Sequence, residues 1–147
     1  MNKLFEVLLV IVGLFIFNTQ IIVAQQKTID NIDDANRLLD NIMNAFEEGE
    51  SKEGFKMLEE NISNKQVDFE QLQANFEGFL GNADEQYGKM LGTDFAKEEK
   101  VGDFLVRYTY AMKYAEQPVW VRFTYYINDD SYLLKELDWG EDLNTLF

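Results

Sequence analysis

Between residues 28 and 80 the apolar side chains recur every three or four positions, whereas between residues 104 and 139 they recur every second one. The first period belongs to helices and the second to strands. Residues 28–48 place Ile29, Ile32, Leu39, Ile42, Met43 and Phe46 on one face, which predicts an amphipathic helix. Thr28 or Asp30 is the expected cap, the early acidic residues suit the helix dipole, and Gly49 ends the segment. A second helix is predicted from Ser51 to Ile62, with Phe55, Leu58 and Ile62 inward. A third follows Asp68, which with Gln71 resembles a capping box. Its stripe is Phe69, Leu72, Phe76 and Phe79, and Gly81 is the expected stop.

Residues 104–115 alternate as a half-buried strand does. Phe104, Val106, Tyr108, Tyr110, Met112 and Tyr114 face one way; Leu105, Arg107, Thr109, Ala111 and Lys113 face the other. Glu116-Gln117-Pro118 makes a turn into residues 119–127, where Val119, Val121, Phe123, Tyr125 and Ile127 oppose Trp120, Arg122, Thr124 and Tyr126. Asn128-Asp129-Asp130-Ser131 is a second turn, and Tyr132 to Trp139 a third strand. Residues 86–100 give a weaker pattern and read as a fourth, edge strand hairpinned through Val101-Gly102. Helices followed by an antiparallel meander define an α+β domain with the helices on one sheet face.

The N-terminus has another character. Lys3 precedes an unbroken apolar run from Val7 to Phe17, and Ile22-Val23-Ala24 presents a small residue at a cleavage position before Gln25. This is the layout of a secretory signal peptide over residues 1–24, leaving one domain over 25–147. The competing reading is an uncleaved anchor from Leu4 to Ala24, long enough at about 20 residues to span a bilayer. Glu6, the polar patch Asn18 to Gln20 and the lack of a basic flank after the segment argue against it. The expected product is exported, periplasmic or secreted, and off the membrane once the leader is removed.

Composition narrows the chemistry. A net charge of −14 repels phosphate backbones, so nucleic acid is not an expected partner. The chain has no Cys, which removes disulfides, thiolate metal sites and lipid attachment at a leader-end cysteine. It has no His, the commonest general base and metal ligand. No metal or cofactor is expected. Asp30, Asp33 and Asp34 read as helix-start carboxylates, and Asn128-Asp129-Asp130 lacks the alternating ligands of a calcium loop.

The run Gly102-Asp103-Phe104-Leu105-Val106-Arg107-Tyr108-Thr109-Tyr110 resembles the NTF2-like, cystatin-like superfamily. So do Lys113-Tyr114, Pro118-Val119-Trp120-Val121-Arg122-Phe123, Leu137-Asp138-Trp139 and the closing Leu146-Phe147. The nearest likeness is to small exported bacterial members of unassigned function, specific over residues 85–147 and topological over 28–80. The resemblance implies helices packed on a bent antiparallel sheet of three to four strands, with a concave face. It carries no catalysis here, because members that are enzymes commonly pair a pocket His with an Asp. An enzyme of this fold would have to use Tyr, Asp or Glu.

Two surfaces are candidates for function. Tyr108, Tyr110, Tyr114, Phe123 and Tyr125 share the face that meets the helices, as core or as the lining of a small apolar ligand's pocket. Arg107, Lys113, Trp120, Arg122 and Tyr126 lie on the opposite face. The cations there suit either an anionic ligand or a partner's acidic surface, or else cross-strand pairing with Glu136 and Asp138. Trp120 and Tyr126, with Leu105, either form an apolar patch for a protein contact or lie under a C-terminal segment. The resemblance implies a homodimer through the open sheet face. The expected function is a non-catalytic module that binds a small ligand or a protein, with a structural part in an envelope assembly as a third reading.

Overall fold

The computed structural model describes residues 28–64, 66–129 and 131–147. The expected leader and its cleavage point lie outside them. Among the described residues no helix is long and apolar enough to cross a membrane.

Three helices precede four strands: α1 (Ile32–Glu47), α2 (Ser51–Asn61), α3 (Phe69–Tyr87), β1 (Met90–Val101), β2 (Leu105–Tyr114), β3 (Pro118–Asn128) and β4 (Ser131–Gly140). A short 3₁₀ turn, Leu143–Leu146, follows. The strands form one antiparallel sheet in the order β1-β2-β3-β4. Three helices against a four-stranded antiparallel sheet make the chain α+β.

Four local expectations need correction. Asn31, rather than Thr28 or Asp30, caps α1: its side chain accepts the Asp34 N–H at 2.9 Å. Thr28 to Asp30 is instead extended, with Ile29 accepting the Tyr132 N–H at 2.7 Å. Asp68 caps α3 through the Gln71 N–H, yet the Gln71 side chain turns to Asn75, so the box is one-sided. Gly81 does not stop α3. The buried Ala83 and half-buried Tyr87 extend its apolar stripe, and the helix ends at Gly88, whose φ of 77° suits glycine. Phe104 is not on the helix-facing side of a strand. It sits in the β1–β2 turn, half exposed, with its carbonyl accepting the Ile127 N–H.

The predicted edge strand is β1, twelve residues long. Register shifts between Met90 and Gly92 and between Phe95 and Lys97 leave Leu91 and Ala96 as bulge residues. A third shift, opposite Thr124 and Tyr125, bulges β4 at Lys135. Bulges bend a strand and sharpen its twist.

Helix α1 crosses the inner sheet face diagonally, and four contacts mark its path. Glu47 accepts the Thr93 N–H and hydroxyl of β1 at 2.9 and 2.7 Å. Asp40 accepts the Tyr110 hydroxyl of β2 at 3.0 Å, and the Ala35 carbonyl accepts the Tyr125 hydroxyl of β3 at 3.4 Å. Ile29, just before the helix, pairs with Tyr132 of β4. Beneath α1, Leu39, Ile42, Met43 and Phe46 are sealed against Val106, Met112, Val121 and Phe123. Each such side chain contributes about 1.5–3 kcal/mol by leaving water. Helices α2 and α3 close the other side through a ring cluster in which Phe76 stacks on Phe46, Phe55 and Trp139 at 4.6, 5.6 and 5.1 Å between centroids.

Candidate functional site

The two sheet faces differ in what they leave unmet. On the inner face Tyr108, Tyr110, Tyr114, Phe123 and Tyr125 come together as expected, and all five are buried. Their rings interlock edge to face, Tyr108 with Tyr125 and Tyr110 with Phe123 at about 6 Å. Burial holds the phenols of Tyr108, Tyr110 and Tyr125 well above the ordinary tyrosine range, and the Asp40 carboxylate adds to this at Tyr110. Burial, with the Asp84 charge behind it, pushes Tyr114 up to about 12. Tyr110 and Tyr125 spend their hydroxyls on α1, whereas the buried Tyr108 hydroxyl, with Glu98 opposite it in register, makes no hydrogen bond of good geometry among the described residues. Beside it the Phe95 ring, 6.3 Å from Tyr108 and 5.6 Å from Tyr110, is 53% exposed at the β1 edge.

The outer face is organised in transverse rows fixed by register. Glu99, Arg107, Thr124 and Glu136 form one row, and Lys97, Thr109, Arg122 and Asp138 the next. Of the expected cationic stripe, Arg122 pairs with Asp138 and lies over the Trp120 ring at 5.0 Å, while Lys113 pairs with Asp94 at 2.7 Å. These pairs are partly exposed and each is worth about 0–1 kcal/mol. Cross-strand pairing thus explains two of the three cations. Arg107 is exposed, between Glu99 and Thr124 in register.

Trp120 and Tyr126 part company. Trp120 is only 8% exposed; the C-terminal turn packs on β3, and Gly140 lies so close that a β-carbon there would come within 2.7 Å of the indole. The C-terminal segment therefore covers Trp120. Tyr126 stays 38% exposed, and register places it in a row that runs across the whole sheet: Val101, Leu105, Tyr126 and Leu133. Every position in that row is apolar, Val101 is exposed, and Phe104 adds a second exposed ring beside it. Phe95, Val101 and Leu133 were not legible as site residues from sequence. The β1 bulges break its alternation, and Leu133 joins the row only through the β3–β4 register.

Two grooves outlined by the described residues lie away from the five inner aromatics. One, of about 610 Å³, runs between the α2–α3 connection and β4; the other, of about 290 Å³, lies between Thr28–Asp30 and α1. Among the described residues no group of three or more carboxylates is placed to hold a metal ion. No known family model, curated protein or solved structure matches the chain.

Proposed function

We propose that this chain is an exported, non-catalytic protein-interaction module of NTF2-like, cystatin-like architecture, and that its contact surface is the outer sheet face. The observation that carries the reading is the apolar row Val101, Leu105, Tyr126 and Leu133, continued by the exposed Phe104. Exposed apolar surface rimmed by charge is what protein contacts commonly use. The rim here is the alternating row Glu99, Arg107 and Glu136. Helices laid across one face of a bulged antiparallel meander support the architecture. The non-catalytic reading rests on what carboxylates at the inner face do: Asp40 holds Tyr110, Glu47 holds Thr93 and Glu98 pairs with Lys100.

The partner is a protein, a second copy of the chain included. Light scattering over a concentration series, with photo-crosslinking from position 126 in the native envelope fraction, tests this. A crosslinked product lost on replacing Val101 and Leu133 by serine supports it. A monomer at every concentration that yields no product from position 126 would overturn it.

One observation favours a second reading, a small ligand at the β1 edge of the inner face: the Tyr108 hydroxyl, without a well-formed hydrogen bond among the described residues, beside the exposed Phe95 ring. A melting temperature unmoved across a library of apolar and phenolic ligands would rule it out.

A further inference from the structure

The free edge of β4 already receives two extended pieces of its own chain. In an antiparallel pair, alternate residues turn their backbone polar groups to opposite sides. Ile127 gives its N–H to Phe104 on the β2 side, so Tyr125, Phe123 and Val121, in step with it, turn the same way. Their partners on β4 are Leu134, Leu137 and Trp139, and with Tyr132 these face outward from the sheet. Two of the four are visibly used: the Tyr132 N–H donates to Ile29, and the Leu134 carbonyl accepts the Ser63 N–H, each at 2.7 Å. The Trp139 N–H is tied to its neighbour Asp138. Among the described residues nothing pairs with the outward N–H and carbonyl of Leu137.

Leu137 lies in the larger groove. There the connection from α2 to α3 leaves the strand it has just touched, and Ile62, Val67 and Leu72 form an apolar wall opposite Leu137. The buried Ser63 hydroxyl in the same groove has no partner among the described residues. An added strand has its side chains dictated by the strand beside it, because neighbours across a ladder share a face. Opposite Leu137, whose side chain points to the core, it would place an apolar residue. The positions on either side would fall opposite Glu136 and Asp138, which point to the outer face, with Asp138 already paired to Arg122. Glu136 is exposed and, among the described residues, meets the Thr124 hydroxyl, at 3.4 Å. Lys135, the cation beside it in the lining, lies over the Tyr126 ring of the outer face at 5.9 Å.

We propose that this groove takes an extended segment of a partner protein, added as a strand to the β4 edge, with a basic–apolar–basic pattern. Backbone hydrogen bonds at Leu137 supply attachment and the flanking charges supply selectivity. The site is distinct from the outer apolar row, so either can fail without the other.

Titration calorimetry of the protein purified from its natural host, with blocked heptapeptides, tests it. The first peptide is Ser-Thr-Lys-Val-Lys-Thr-Ser. A second replaces both lysines by glutamate, and a third replaces the valine by aspartate. The first should bind at least ten-fold more tightly than the others and shift the amide resonances of Leu137 and Ser63. Glu136→Lys should weaken it ten-fold or more and favour the glutamate peptide, while Tyr126→Ser should leave it unchanged. Equal affinity for all three peptides, no binding up to millimolar peptide, or shifts confined to Val101 and Leu105 would overturn the proposal. Should the charge variant lose its fold, the resonance shifts in the unaltered protein decide by themselves.

Discussion

Gly54 offers a sharp test of how α2 is seated. It is buried in α2 against α1, and a β-carbon there would lie 2.8 Å from Phe46 Cδ1 and closer still to Cε1. Phe46 has nowhere to go: it is sealed in the core, with Phe55 and Phe76 at 5.6 and 4.6 Å. Two terms oppose each other in Gly54→Ala. Alanine in a helix interior is favoured over glycine by roughly 1 kcal/mol. Overpacking a well-filled core costs about 1–3 kcal/mol, and a contact this short with a ring this confined belongs at the upper end. The net expectation is a loss of about 2 kcal/mol. Gly78 and Gly81 of α3 supply the control, since a β-carbon at either meets nothing within 4 Å. There the propensity term acts alone, so alanine should stabilise by up to about 1 kcal/mol. Urea unfolding of the three variants, with Phe46→Leu and the Gly54→Ala/Phe46→Leu pair, measures the signs and the coupling. If Gly54→Ala raised the midpoint as the α3 variants do, the packing of α2 on α1 would be wrong.

Three further outcomes are expected. Tyr108, Tyr110, Tyr114 and Tyr125 hold their protons above the ordinary tyrosine range, so beyond about pH 10 the unfolded chain ionises while the folded one does not. Their contribution is therefore intact below pH 10 and lost as pH rises through the folded values; ultraviolet titration should show these phenols ionising only with cooperative alkaline unfolding. Tyr110→Phe removes the bond to Asp40 and should cost about 1 kcal/mol in denaturant unfolding, since exposed Asp40 recovers water; a loss above about 3 kcal/mol would contradict that. Deleting residues 141–147 should uncover Trp120 and red-shift its emission, whereas unchanged emission would show that the C-terminal turn does not cover it.

Legibility in the sequence followed the regularity of the periods. The alternation from Val106 to Tyr114 and from Val119 to Tyr125 is unbroken, and the sorting of inner from outer residues there agrees with the structure. It failed at Phe104, where the chain needs a turn and Gly102 takes a φ of 56° one step after β1 ends. Gly81 misled because a glycine with open space around it can sit inside a helix at modest cost, and apolar residues beyond it kept the helix going. Asn31 was missed in favour of Thr28 and Asp30, and what decided against those two was a distant contact, Ile29 with Tyr132. Of the outer row, Leu105 and Tyr126 were legible from alternation, but Val101 and Leu133 were not, because register is a property of pairs of strands and the β1 and β4 bulges erase the period that would reveal it.

Carbene footprinting of the protein, free and in its native envelope fraction, most directly separates a buried inner face from an outer face that meets a partner. We expect Tyr110, Tyr125 and Phe123 to stay unlabelled in both states, and labelling of Val101, Phe104, Tyr126 and Leu133 to fall only in the native fraction. Strong labelling of the inner tyrosines in the free protein, with the outer row equally reactive in both states, would contradict it.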